Sequence, residues 1–357
     1  MHPLQSISLT QFRNYTQQTF EVDTAVVAIS GNNGIGKTNL LDAIYYLCFT
    51  KSYFQNKEIN NVQRGKDGFR IEGTFGKGTE KSKTVIGWRE GKKKIEENDI
   101  LVEKITDYIG THTALMIAPD DIELINGSGT QRRKFFDGLL AQADGKYLEQ
   151  LLQYQKVLQQ RNAYLKQGAY PLDFSLIDVY DQQLAISGAY LIERRIECST
   201  VFPEMVERFY GEIAQHEENI GIYYESSIAV PAQLLELFRY NRAKDIEAKR
   251  TTAGPHLEDW RLELDLLPYR SHASQGQKKS LLVSMKLAQL EWLRNLGKTP
   301  LILLDDIFEK LDQHRIWQLF SILKSLEVTQ IFMTHTGDLD MLRALEPHFK
   351  QVKSIQL

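Results

Sequence analysis

Hydrophobic and polar residues alternate along the first quarter of the chain. From Leu4 to Trp88 the pattern predicts short strands in SISLTQF, AVVAIS, FRIEGTF and KTVIGW, the last turning through Glu90-Gly91 into KKKIEE. TALMIAP, Thr113 to Pro119, reads as a further buried strand. From Gln131 the period changes: apolar residues recur every three or four positions to Gln167, and again over Asp173 to Glu197 and Pro203 to Ala214. A further helix opens at Pro231 and reaches about Lys249. After Gly254-Pro255-His256 the alternation returns in WRLELDLL, ahead of a helix through Leu281, Met285, Ala288 and Trp292 and the strands LILL and TQIFM. These elements predict an α/β protein whose end strands join one mixed sheet, with a helical lobe inserted between them. The expected bounds are 1–126 and 251–357 for the two parts of the sheet lobe and 127–250 for the insertion. No internal repeat or low-complexity linker is visible. Breaks at Gly168, Pro171 and Pro203 make the lobe too short for a long coiled coil, and Tyr154, Leu158 and Leu165 read as its core.

Composition narrows the class. With 357 residues, 42% hydrophobic and 25% charged, the chain is an ordinary globular protein of about two domains, which excludes disordered and collagen-like chains. Cys48 and Cys198 form no CxxC pair, so neither a disulfide framework nor a zinc site is signalled. MHPLQSISLTQFRNY lacks the signature of a secretory signal, and no apolar run approaches the roughly 20 residues of a membrane span, so a cytoplasmic protein is expected. Forty-three Lys and Arg against 46 Asp and Glu leave a net charge of -3, so binding to a polyanion needs a local basic surface.

The chemistry concentrates in three stretches. Gly31-Asn32-Asn33-Gly34-Ile35-Gly36-Lys37-Thr38 follows an apolar strand and opens a helix carrying Asn39, Leu40, Leu41 and Ile44. This is the phosphate-binding loop: glycines let backbone N–H groups face an anion at a helix N-terminus, Lys37 reaches the β- and γ-phosphates of ATP, and the Thr38 hydroxyl ligates Mg²⁺. LILL followed by Asp305-Asp306 places two acids at a buried strand's carboxyl end, Asp305 for the metal and Asp306 for the attacking water. By itself such a pair also serves as a helix cap. Ala273-Ser274-Gln275-Gly276-Gln277 opens a helix and presents a hydroxyl and free amides, though a plain capping box has the same pattern.

The order of loop, Ser-x-Gly-Gln and acids resembles the ABC-type ATPase heads of the SMC class, in which the signature of one subunit covers the ATP bound to the other. That resemblance implies signature contacts from Ser274, Gly276 and Gln277, a D-loop at Asp312 in Glu309-Lys310-Leu311-Asp312, a switch histidine at His335, and a nucleotide contact from Arg13 in Phe-Arg-Asn-Tyr. SISLTQFRNYTQQTFE, MIAPDDIELINGSGTQRRKFFDGLL, YQKVLQQRNAYLK, AGPHLEDW, ASQGQKKSLLVSMKLAQLEWL and LLLDDIFEKLD are together similar to the RecF family of bacterial recombination mediators, over nearly the full chain. Membership would imply a weak Mg²⁺-dependent ATPase used as a switch. Such a protein dimerises around ATP, binds DNA duplexes and single/double-strand junctions, and acts with RecR, RecO and RecA in recombinational repair, replication and the SOS response. Asp306 stands where the wider class has Glu, and Phe308 and Lys310 where many RecF proteins have smaller or acidic residues.

Candidate DNA contacts are Lys81, Lys83, Arg89, Lys92, Lys93 and Lys94 on the predicted hairpin, Arg132, Arg133 and Lys134 at the start of the helical lobe, and Arg242, Lys244, Lys249 and Arg250. The first group reads equally as a solvated sheet edge. No aromatic-rich platform for single strands is evident, which favours duplex backbone. An ABC transporter subunit and an SMC-like DNA tether are the competing readings.

Overall fold

The computed structural model describes residues 3–167, 172–214, 218–307, 311–336, 347–349 and 351–357. The chain divides into two compact units, one of Met1–Asp121, Glu212–Gln215 and Val283–Leu357, the other of Ile122–Gly211 and His216–Leu282. The inserted unit thus runs beyond residue 250, because the strand Asp259–Leu264 pairs with Ile220–Glu225 inside it rather than with the end strands.

The first unit holds two sheets. Five strands run in the order Val352–Gln356, Val26–Ser30, Ile331–His335, Leu301–Leu304 and Ala114–Ile117, every pairing parallel. Six more form an antiparallel sheet in the order Tyr15–Glu21, Leu4–Phe12, Gly68–Lys77, Glu80–Arg89, Lys92–Glu97 and Ile100–Leu101. The α/β class stands, and strands from both ends do meet in one sheet, the parallel one, while the remaining N-terminal strands form a separate antiparallel sheet in place of the single mixed sheet expected. VVAI, ALMI, LILL and IFMTH are buried at every position and need cover on both faces, as parallel sheets provide, whereas the alternating N-terminal strands bury one face only. The helix Lys37–Phe49 packs against strands of both sheets, so nearly all its apolar side chains are inside, Leu40, Leu41, Ile44 and Leu47 among them.

In the second unit the helical run expected from Gln131 to Gln167 is two helices, Gly129–Ala143 and Gly145–Gln167. Asp144 is extended between them, and its carboxylate accepts from Lys146 N at 2.9 Å, as a cap does. Pro203, by contrast, does not break the helix Phe174–Ala214 that contains it. Phe202, Val206 and Phe209 are buried and Phe202 meets Phe136 edge-on, so packing outweighs the missing N–H. Tyr154, Val157 and Leu165 line the core, with Leu158 half-buried. Gly168 and Pro171 lie outside the described residues. No helix among the described residues is long and apolar enough to cross a membrane.

Candidate functional site

The loop leaves the strand Val26–Ser30 and enters its helix through glycines with left-handed backbone, Gly34 at φ 82° and Gly36 at φ 121°. At Gly36 a Cβ would strike the Asn14 amide, so only glycine fits. Gly36 is also the N-cap, and having no side chain it leaves the first-turn N–H groups to an anion. The Lys37 ammonium curls over the loop, donating to Gly31 O at 2.8 Å, Asn32 O at 3.2 Å and Asn33 Oδ1 at 3.4 Å. An open cleft is lined by Gly34, Gly36, Lys37, Thr38, Asn39 and Asp306.

Asp305 ends the strand Leu301–Leu304, one strand removed from the loop strand. Thr38 Oγ1 donates to its carboxylate at 2.9 Å, although the two residues are 267 apart in sequence. Thr334 Oγ1 donates to Asp305 Oδ1 at 2.8 Å and accepts from Asp306 N at 2.9 Å. Burial pushes the Asp305 carboxyl above its ordinary range and the neighbouring Asp306 adds to this, against the Thr334 and Thr38 hydrogen bonds and the Lys37 charge. A buried carboxylate touching a hydroxyl, with a second carboxylate beside it, is a hard oxygen set that fits Mg²⁺. Nothing in the sequence singles out Thr334, although it stands directly before His335. That histidine is buried at the end of its strand, in register with Ser30 ahead of the loop.

Several expected residues have other work. Arg13 is largely buried: it pairs with buried Asp42 and donates to Asn39 Oδ1, on the cleft lining, at 2.7 Å and to Ser52 Oγ at 3.0 Å. Asp312 caps the helix Gln313–Ser325, accepting from Arg315 N at 3.0 Å. Phe308, Glu309 and Lys310 lie outside the described residues. Ser274 and Gln277, in the second unit, form a reciprocal capping box, Gln277 N donating to Ser274 Oγ at 3.2 Å and Ser274 N to Gln277 Oε1 at 2.6 Å. Gly276 lies in that first turn, and the Ser274 hydroxyl keeps its own proton for donation.

The basic clusters divide between side chains paired within the fold and side chains that face solvent. Lys93 points inward, its ammonium 2.5 Å from both Thr50 O and Glu58 Oε1 and over the Tyr46 ring, because alternation turns it to the face opposite Lys92 and Lys94. Arg132 makes a two-pronged pair with Asp259 at 2.9 and 2.8 Å, and Arg133 donates to Glu258 O and Thr130 Oγ1. Arg242 pairs with Asp178 and Asp181. Lys94 pairs with Glu96 and Lys83 with Glu72, both toward solvent, and Lys81, Arg89, Lys92, Lys134, Lys244, Lys249 and Arg250 are exposed.

A parallel sheet carrying a phosphate loop, with a distant aspartate bonded to the loop's threonine, defines the fold of a P-loop ATPase head of the ABC/SMC type. A family model, the RecF/RecN/SMC N-terminal domain, matches residues 3–353. The DNA replication and repair protein RecF of Flavobacterium johnsoniae is 36% identical over 340 residues, 94% of each chain, and that of Clostridium acetobutylicum 32% identical over 352 residues, 97% of this chain and 96% of the other. The solved recombination mediator protein RecF-ATP of the RecFOR pathway superposes with a TM-score of 0.86 at 30% identity, covering 94% of this chain and 92% of that one. An SMC head bound to the C-terminal winged-helix domain of ScpA shares the fold alone, with a TM-score of 0.55 at 11% identity over 99% of this chain and 94% of that one. The chain belongs to the RecF family.

Proposed function

We propose that this chain is an ATP-dependent DNA-binding protein of recombinational repair and replication restart. In this reading it is a weak Mg²⁺-dependent ATPase that dimerises around ATP on gapped or duplex DNA and helps to load RecA together with RecR and RecO. The observation that carries the nucleotide part is the bond from Thr38 to Asp305, which joins the phosphate loop to an acid 267 residues away. The loop amides and Lys37 hold the phosphates, Thr38 and Asp305 hold the metal, Thr334 orients Asp305, and Asp306 orients the attacking water. Mg²⁺, when bound, neutralises charge on the phosphate oxygens. His335 and Asp312 act at the γ-phosphate and the dimer interface. Titration of the chain with ATP, with and without gapped DNA and RecR, tests the reading as a whole: ATP binding that strengthens neither DNA association nor RecR capture would refute the switch.

The composite dimer has its own test. Ser274→Arg is expected to leave ATP affinity of the monomer within about twofold, since the loop is untouched, while ATP-driven dimerisation fails because a bulky cation stands where the partner's phosphate docks. Losing the capping box costs about 1 kcal/mol of stability, which a melting curve will register separately. Mixing this variant with Lys37→Ala restores one intact site, and partial recovery of hydrolysis is the expected result. Loss of ATP binding by the Ser274 variant alone would mean that the motif serves its own subunit.

For DNA, the outward lysines carry the prediction. Lys92→Gln with Lys94→Gln is expected to weaken duplex binding alike for unrelated sequences and to lower the slope of log K against log salt by about 0.9 for each phosphate no longer neutralised. An unchanged slope assigns this strand to a solvated edge. Lys93→Gln acts differently, through stability, since it leaves the Glu58 carboxylate and the Thr50 carbonyl without their cation.

A further inference from the structure

The hairpin turn between the strands Leu4–Phe12 and Tyr15–Glu21 lies directly against the phosphate loop. Tyr15 Oη donates to Gly36 O at 2.9 Å, and Asn14 Nδ2 donates to Ile35 O at 2.7 Å. Asn39 Nδ2 in turn donates to Asn14 Oδ1 at 2.7 Å, and Asn39 Oδ1 accepts from Arg13. Arg13 is itself anchored on Asp42, Ser52 and Asn61, and its backbone N–H donates to Asn61 O at 2.8 Å. Tyr15 is buried, its ring edge-on to Phe20, and burial raises its phenol well above the ordinary value, so the hydroxyl stays a donor.

Two successive loop carbonyls therefore accept from the hairpin, Gly36 O sharing this role with Leu40 N, which donates to it at 3.0 Å in the first turn of the helix. In a planar trans peptide the C=O and the following N–H point in opposite directions. Fixing Ile35 O and Gly36 O toward the hairpin consequently turns the amides of Gly36 and Lys37 away from it, toward the cleft that Gly34, Lys37 and Thr38 line. The device is needed because glycine at φ 121° has many alternatives open to it. The hairpin sits as close as a residue without Cβ allows.

We propose that Asn14 and Tyr15 are positioning residues of the nucleotide site, which fix the loop amides in their phosphate-binding orientation before nucleotide arrives. This rests on reading residues 31–38 as a phosphate loop. Without the two side chains the loop divides its time among several conformations, and apparent affinity falls by the fraction that remains competent. Both ATP and ADP are affected, because the amides concerned serve phosphates common to the two.

The test compares the full-length wild type, Tyr15→Phe, Asn14→Ala with Tyr15→Phe, and Lys37→Ala. Binding of fluorescent ATP and ADP, nucleotide-free melting temperature and hydrogen exchange of the loop amides are measured for each. The double variant is expected to bind both nucleotides about tenfold more weakly, equal to about 1.4 kcal/mol, with Tyr15→Phe moving the same way by less. Exchange should quicken at residues 33–37 and not across the fold. Unchanged affinity, or exchange that rises everywhere in step with a fall in melting temperature, overturns the proposal in favour of simple packing. The phosphate-loop reading fails separately, if wild type and Lys37→Ala bind nucleotide equally.

Discussion

Replacing Lys37 with alanine is expected to weaken ATP binding by at least about a hundredfold, since two charge-assisted hydrogen bonds worth roughly 1.5–3 kcal/mol each disappear. The ammonium is held by Gly31 O, Asn32 O and Asn33 Oδ1, all neutral acceptors that phosphate oxygens outcompete. The side chain is only 4% exposed, so the interaction takes place largely out of water, where charge counts for more. Titration calorimetry reads the affinity, and a melting curve without nucleotide establishes that the variant is folded. In the proposed dimer, loss of bound ATP also abolishes ATP-dependent association, which light scattering detects. A variant that bound ATP within threefold of wild type would show that the phosphates lie elsewhere.

Asp306→Asn is expected to separate binding from turnover: ATP affinity holds, while hydrolysis slows by about 10²-fold or more, the range lost with a positioned general base. Asp306 has a left-handed backbone at φ 44°, a conformation that asparagine adopts more readily than most residues, so the substitution adds little strain. Its N–H still donates to Thr334. Removing its charge also takes away one of the influences that raise the Asp305 carboxyl, which favours the ionised, metal-binding form. The expected product is a longer-lived ATP dimer. Phosphate release and nucleotide affinity are measured independently, and normal hydrolysis would move the water-orienting role to another residue.

The contrast between these two residues and Arg13 marks how far the chain's own order reaches. The loop is legible because its parts are contiguous: an apolar strand, glycines, Lys37 and Thr38, then a helix with its apolar face in period. Asp305 and Asp306 are legible because LILL can hardly be other than a buried strand, and acids at its carboxyl end fall on the ligand-binding edge. The Ser274-x-x-Gln277 box is equally local, and it forms as a cap. The hairpin clamp is half visible, since Phe-Arg-Asn-Tyr stands out for its arginine while the side chains that hold the loop are its neighbours, Asn14 and Tyr15.

Where each charge goes is settled only by tertiary structure. Arg13 meets Asp42 across 29 residues, Lys93 meets Glu58 across 35, and Arg132 meets Asp259 across 127, and each pairing withdraws a cation that composition alone counts as available for phosphate. The separation of the strands into two sheets depends likewise on which faces the helix Lys37–Phe49 covers, and the unbroken helix through Pro203 on the aromatic packing around Phe202. Backbone conformation follows from neighbours a few residues away, through steric limits on φ and ψ and the period of apolar side chains, so it can be read along the chain. The fate of a charged side chain depends on desolvation and on a partner delivered by the fold from far away, and no spacing in the sequence records that arrival.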